Sequence, residues 1–316
     1  ILFEKIKPLS KNYFEDGPNH KTFIIGTLIY KNIQLGESLK QLHSDYYNNK
    51  IDYNYLSGNF CVIFWDGVNI KIFRDKLKVQ HIFEREDGLC ISSSFLALLQ
   101  SGTKKFKINQ LALQEKLATG FIIGEDTLVT GIKKVNDTLP FPVLNNDIKI
   151  ISQERFNIYF KLHNQGKSKS IEAQIETLTS YFQLLNRAFQ SHQGDLGLSS
   201  GFDCRLLLAL AKNELYTPLH IHSHNTGGVH DTEIFYAKQL VDIMGVELEL
   251  IPTQSLEKSE DENIENTLNQ NLYFFDGRSG RHLGAYSETY TPGYRLKSMG
   301  NADYSLNGLG GELFRD

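Results

Sequence analysis

Cysteine is scarce in this chain of 316 residues. Cys61, Cys90 and Cys204 are the three present, far apart and without a Cys-x-x-Cys spacing. That excludes a disulfide framework and a thiolate zinc site, and makes a reducing, cytoplasmic compartment the expectation. Basic charge is not in excess either. The chain carries 33 Lys and Arg against 37 Asp and Glu, a formal net charge of −4. A nucleic-acid partner, whose affinity rests on neutralised phosphates, is therefore not expected. No apolar run reaches the ~20 residues of a membrane helix, so no membrane partner is expected. The start, Ile1-Leu2-Phe3-Glu4, lacks Met and the layout of a signal peptide. The end, Leu313-Phe314-Arg315-Asp316, lacks a capping residue, so a piece of a longer chain is expected. Apolar residues, at 41%, are ample for packed cores, and the length suggests two domains.

The two halves follow different patterns. In the first, Phe60–Trp65 and Val68–Phe73 flank Asp66-Gly67, a strong hairpin signal because Gly tolerates the positive φ of a type I′ turn. Asp87-Gly88 repeats the device between Gln80–Glu84 and Leu89–Ser93. Phe23–Tyr30 reads as a further strand, and Glu37–Tyr47 and Asn109–Ala118 as helices. Phe60–Trp65 is apolar on both faces, as suits a strand held between layers. In the second half, Ile171, Ile175, Leu178, Phe182, Leu185 and Phe189 mark an amphipathic helix. A strand near Asp195–Ser199 follows, then a helix from Asp203, a strand at Leu219–Ser223, a helix over Asp231–Met244 and a strand at Val246–Ile251. Gly245 suits the residue just past a helix end. Strands alternating with helices indicate a parallel sheet. Residues 156–170, which include Asn164-Gln165-Gly166-Lys167-Ser168-Lys169-Ser170, read as a polar linker.

The small and polar residues of "LSSGFDCRLLLAL" (198–210) sit where a strand hands over to a buried helix. In an open parallel sheet that position faces ligands, and the helix N-terminus offers N–H groups and a positive dipole end. Ser199, Ser200 and Gly201 let the backbone approach an anion closely. Arg205 in the first turn of the helix agrees, since a cation there is disfavoured unless an anion offsets it. The alternative is a tight turn with Asp203 as helix cap. There is no Gly-Lys-Ser/Thr, so this is not a Walker-type loop.

Ser199-Ser200-Gly201-Phe202-Asp203-Cys204 resembles the Ser-Gly-Gly-x-Asp-Ser pyrophosphate loop of the ATP pyrophosphatases. Leu198 and Leu206-Leu207-Leu208-Ala209 resemble its asparagine-synthetase branch. Ser200 and Cys204 depart from the pattern, Cys204 standing in for a serine. "LSGNFCVIFWD" (56–66), "FRDKLKVQHIF" (73–83), "CISSSFLALL" (90–99) and "TLVTGIKKV" (127–135) resemble stretches of the amidotransferase-type N-terminal domain of those synthetases. "LNGLGGELFRD" (306–316) is similar to the Gly-rich acidic loop that faces the pyrophosphate loop, with Gly311 where an aspartate is usual.

The resemblance implies a two-domain protein of mixed α/β and α+β class. Residues 1–155 would be an N-terminal nucleophile-type, αββα amidotransferase-like antiparallel sandwich. Residues 171–316 would be a doubly wound parallel sheet of the adenine nucleotide α-hydrolase type, cut short at its C-terminus. No cysteine lies near Ile1, and Gly26-Thr27-Leu28 or its neighbour stands where the family has Asn-Gly-Glu. Cys61 and Cys90 fall inside expected strands. A glutaminase-dead first domain is therefore expected, as in β-lactam synthetases and lasso-peptide cyclases.

The implied activity is an ATP-dependent ligase that makes an acyl-adenylate from a small-molecule or peptide carboxylate and then an amide. Leu198, Ser199, Ser200, Gly201, Phe202, Asp203, Cys204, Gly308 and Gly310 would bind ATP and pyrophosphate, with His222 and Ser223 at the strand end beside the adenine. Asp203 and Glu312 would be catalytic and would hold Mg²⁺, a lean set of protein oxygens. A different acceptor, a non-catalytic nucleotide-binding relative, and a homodimer remain open. His220, His222 and His224 share one strand face, a spacing that can bind a transition metal, although no acidic partner is fixed by the sequence. Asp231 and Glu233 read as cap and dipole complement. Asp75 reads as structural. Asp276, Arg278 and Arg281 lie in a loop that either faces the site or is solvated.

Overall fold

A computed structural model describes residues 10–75, 78–88, 90–101, 105–135, 141–143, 146–150, 167–216, 219–225, 231–252, 264–277 and 292–306. The chain divides into two compact units, Ile1–Phe156 with Phe275–Gly280, and Asn157–Phe274 with Arg281–Asp316.

The first unit runs β1 (Tyr13–Asp16), β2 (His20–Gly26), β3 (Ile29–Tyr30), α1 (Leu35–Tyr47), β4 (Leu56–Ser57), β5 (Phe60–Trp65), β6 (Ile70–Arg74), β7 (Phe83–Arg85), β8 (Ile91–Ser92), α2 (Phe95–Gln100), α3 (Gln110–Thr119), β9 (Ile132–Lys134), β10 (Phe141–Val143) and β11 (Asn146–Ile150). A six-stranded sheet has the order β1-β2-β5-β6-β11-β10, antiparallel except where β11 meets β6, and a three-stranded sheet has the order β8-β7-β9.

Alternation along these strands builds layers. Ile24, Val62, Phe64 and Phe73 pack with Leu39 and Leu42 of α1. On the other face, Cys61, Ile72 and Ile63 meet Ile82, Val135 and Ile91, from the short strands and their flanks. Phe83 and Ile132 of the small sheet then turn away to pack with Phe95 and Leu98 of α2. The order is helix, sheet, sheet, helix, and β5 is covered on both faces. Each such buried side chain contributes about 1.5–3 kcal/mol.

The sequence-expected strand over Phe23–Tyr30 is broken. Gly26 takes φ +86, and a Cβ there would meet the Asn59 carbonyl oxygen at 2.1 Å. The backbone turns out of the sheet at that point, and Thr27 N–H donates to the same carbonyl at 2.8 Å. Cys90 precedes β8 rather than lying within a strand. Asp75 is structural: Phe60 N–H donates to its Oδ2 at 3.1 Å, locking the start of β5 against the end of β6.

The second unit runs α4 (Lys167–Ala188), β12 (Gly194–Gly197), α5 (Phe202–Glu214), β13 (Leu219–Asn225), α6 (Asp231–Met244), β14 (Glu249–Pro252), α7 (Ile264–Phe274), α8 (Pro292–Ser298) and β15 (Tyr304–Leu306). Its sheet has the order β14-β13-β12-β15 and is parallel throughout. Leu196 and Ile221 form its core with Leu208 of α5 and Ala237 and Val241 of α6. Past α6, Gly245 at φ +62 and Val246 donate to Asp242 and Val241, the paired bonds of a Schellman end. The expected linker ends early, because α4 already begins at Lys167. Four polar residues suit a first helical turn as well as a loop.

Candidate functional site

Strands β12, β13 and β14 step outward in one direction, and β15 is added on the opposite side of β12. The reversal makes the C-terminal ends of β12 and β15 a topological switch point, the place where open parallel sheets bind ligands. Leu196 is paired with Leu306, so β12 and β15 end side by side at the same edge of the sheet. In the sequence, 198–202 follow the first. The Gly-rich run follows the second, and its Gly308, Gly310 and Glu312 lie outside the described residues.

The loop is anchored by Leu198 N–H, which donates to the His222 carbonyl at 2.7 Å. Ser199 Oγ accepts from Gly201 N–H at 3.2 Å, so one of the backbone donors expected for an anion is engaged within the loop. The same hydroxyl lies 3.5 Å from Cys204 Sγ. Helix α5 has Gly201 at its N-cap with no side-chain cap, and its ladder opens with Arg205 N–H to the Gly201 carbonyl at 3.3 Å. Asp203 is therefore a first-turn residue and not the cap. A carboxylate there favours the dipole, yet the N-terminal donors lack the serine or aspartate oxygen that usually takes them. Phe202 projects 72% exposed, the Arg205 guanidinium carbon sits 4.1 Å over its ring, and Arg205 Nε is buried without a hydrogen-bond partner among the described residues.

The strand end expected at His222 and Ser223 needs correction. Both are buried, and β13 continues to Asn225, so they are not at the strand end. His222 is level with Gly197, the last residue of β12, and its imidazole is held below the edge by Asp195. The three histidines do share a face. His222 Nδ1 lies 2.8 Å from Asp195 Oδ1 and His220 Nδ1 2.9 Å from the same oxygen. His220 Nε2 lies 2.8 Å from Glu249 Oε2, and His224 Nδ1 2.7 Å from the Tyr294 hydroxyl. Ser305 Oγ donates to Asp195 Oδ2 at 3.0 Å. Burial pushes the Asp195 carboxyl up, but the bonds from His222, His220 and Ser305 outweigh it and leave the group below its ordinary value. Burial pushes His220 down, and its two carboxylate partners outweigh that and raise it.

Asp195 is a residue of the site to which the sequence pattern assigns no role. Its signal was present: it alternates with Leu196 in a strand directly before the loop, a charged side chain where a parallel strand expects none. Asp276 is not solvated. It is buried in the first unit, where Ser94 Oγ, Phe95 N–H and Leu96 N–H donate to it at 2.5, 2.7 and 3.2 Å. Arg278 and Arg281 lie outside the described residues, as does the side chain of Asp231. Glu233 is exposed at the start of α6.

The chain is thus a two-unit α/β protein with a mixed, largely antiparallel sheet in one unit and an open parallel sheet in the other. Neither a family model nor a curated protein sequence matches it.

Proposed function

We propose that this chain is an ATP-dependent, amide-forming ligase of the asparagine-synthetase type. The observation that carries the reading is the switch point. The strand before Ser199–Asp203 and the strand that ends at Leu306, before the Gly-rich acidic stretch in the sequence, are adjacent and parallel. The helix that follows the first has no side chain capping its N-terminus. A polyphosphate needs such a place: backbone donors, a dipole end and little side-chain bulk. The helix–sheet–sheet–helix unit supports an N-terminal nucleophile-type first domain, and the parallel sheet supports an adenine nucleotide α-hydrolase-type second one. Gly26-Thr27-Leu28 or its neighbour stands where the family has Asn-Gly-Glu, and Leu28 is 2% exposed in the first core, which supports a domain without glutaminase activity.

In this reading Ser199, Ser200 and Phe202 hold the departing pyrophosphate by hydroxyl and N–H groups, and Arg205 offsets its charge. Gly201 contributes once its N–H exchanges Ser199 Oγ for phosphate. Positioning and charge neutralisation account for most of the acceleration. Mg²⁺ fits in part: Asp203 stands in the first turn of α5, and Glu312, its expected partner, is outside the described residues. When bound, the ion offsets charge on the phosphates. The carboxylate substrate attacks the α-phosphorus, pyrophosphate leaves, and an amine then displaces AMP. A second reading, a nucleotide-binding protein without turnover, is favoured by Gly311 in place of the usual aspartate.

Calorimetric titration with Mg·ATP and pyrophosphate tests the site. Wild type is expected to bind both. Asp203→Asn is expected to lose about 2–4 kcal/mol, the cost of truncating one charge of a partly buried pair, with an unchanged melting curve. Pyrophosphate release over a panel of carboxylates separates ligase from binder. Absence of nucleotide binding by folded wild type overturns both readings.

A further inference from the structure

The sheet face opposite the Leu196–Ile221 core carries a cluster that nucleotide chemistry leaves unused. Asp195 on β12 is in register with His220 on β13, and His222, two residues on, points to the same face. One donor atom from each of the three lies within 4.8 Å of the others. Asp195 is 1% exposed at its side chain, His222 6% and His220 17%, so the cluster is dry at its base and open on the His220 side.

Counting protons sharpens the point. Both ring nitrogens of His220 face carboxylates, Nδ1 toward Asp195 and Nε2 toward Glu249. A neutral imidazole has one N–H, so one of these contacts requires an added positive charge. If Nε2–H donates to Glu249, Nδ1 turns a lone pair toward Asp195 Oδ1. That is the arrangement of a metal-binding histidine whose far nitrogen is oriented by a carboxylate. Ser305 engages Oδ2 of Asp195 and leaves Oδ1 to face both imidazoles. With metal–ligand bonds of about 2.0–2.1 Å, nitrogen and oxygen at a right angle are about 2.9 Å apart, and at a tetrahedral angle about 3.4 Å. The spans of 2.8 and 2.9 Å already match the first and need a shift of about half an ångström for the second. Two imidazoles and one carboxylate select zinc, cobalt, nickel or copper over magnesium.

We infer that Asp195, His220 and His222 bind a divalent transition-metal ion that joins β12 to β13 next to the loop beginning at Leu198. Each imidazole offers the ion its Nδ1 lone pair and keeps its one N–H on Nε2, a ring that was imidazolium passes its second proton to the solvent, and water completes the coordination. The inference does not rest on the proposed ligase reaction.

The test uses the full chain, stripped with a chelator, dialysed and titrated with Co²⁺ while visible absorption is followed. Zn²⁺ then competes in calorimetry. One equivalent is expected to bind at micromolar or lower concentration, with the d–d bands of a nitrogen–oxygen site and no displacement by excess Mg²⁺. His220→Gln is expected to weaken binding at least tenfold, and Glu249→Gln, which keeps every ligand, by less. Folded wild type that takes up no stoichiometric Co²⁺ overturns the inference, and so does unchanged affinity in both His220→Gln and Asp195→Asn. Should neither variant fold, the exposed change Glu249→Gln decides: unchanged affinity there overturns the oriented-histidine arrangement, and weakened affinity upholds it.

Discussion

Histidine behaves in two opposite ways in this chain, and the difference lies in what each ring touches. His43 is buried, its Nδ1 lies 2.8 Å from Thr22 Oγ1, and burial lowers its pKa below 6.5. Folding around a neutral ring means that stability at this residue is lost as pH falls below about 6.5. His220 is raised above 6.5 by Glu249 and Asp195 against the opposing effect of burial. Its contribution is complete below the unfolded value and is lost as pH rises through the folded one. Asp195, lowered from 3.8, contributes above that value and loses its contribution only in stronger acid. In chelator-treated protein, urea unfolding should therefore show wild type more stable than His220→Gln at about pH 5.5, with the gap closing toward about pH 9. A gap that widens with pH would contradict the assignment.

At the scale of elements, turns were legible and interruptions were not. The hairpin between β5 and β6 forms at Asp66-Gly67, though not as the expected two-residue type I′ turn: Asp66 to Asn69 connect the strands, Gly67 but not Asp66 takes a positive φ (+94), and Asp66 Oδ1 accepts from Val68 and Asn69 N–H at 3.0 and 2.6 Å. Both effects are local, so six residues of sequence suffice to show them. The break after Gly26 is different. Its cause is the Asn59 carbonyl, brought close by the pairing of β2 with β5. Gly26→Ala must combine a positive φ with a steric conflict against backbone, and is expected to cost at least about 2 kcal/mol in thermal or urea unfolding. Gly120→Ala, at a similar φ with nothing within 4 Å, should cost less, about 1 kcal/mol. Equal losses at the two positions would show that strain alone, and not close approach, sets the Gly26 effect.

For the whole molecule the informative fact is that the units are not contiguous in sequence. Phe275–Gly280 belongs to the first unit although the residues on either side belong to the second. Asp276 brings a carboxylate to the start of α2, where it accepts from Phe95 and Leu96 N–H. Hydrogen bonds to a charged group contribute about 1.5–3 kcal/mol, so Asp276→Ala should destabilise the first unit by roughly that amount. Amide hydrogen exchange gives the sharper readout: Phe95 and Leu96 should be protected in the full chain and should exchange faster both in Asp276→Ala and in a fragment ending at Phe156. Equal protection in all three would show that Ser94, whose Oγ accepts from Ala97 N–H at 3.1 Å, suffices as the cap.

Taken by itself, the sequence determined what depends on near neighbours: the two halves, the apolar run of β5, the period-two face of β13, the site of the hairpin and the polar stretch before α5. It determined these because backbone dihedrals and side-chain direction are set within a few residues. Only the tertiary structure decided what depends on partners far along the chain. The pairing of β12 with β15 brings Leu196 beside Leu306, over a hundred residues on, and the pairing of β12 with β13 gives His220 and His222 the carboxylate of Asp195. Strand order and register follow from which apolar faces bury together and which chain ends close a sheet, and those choices span most of the chain.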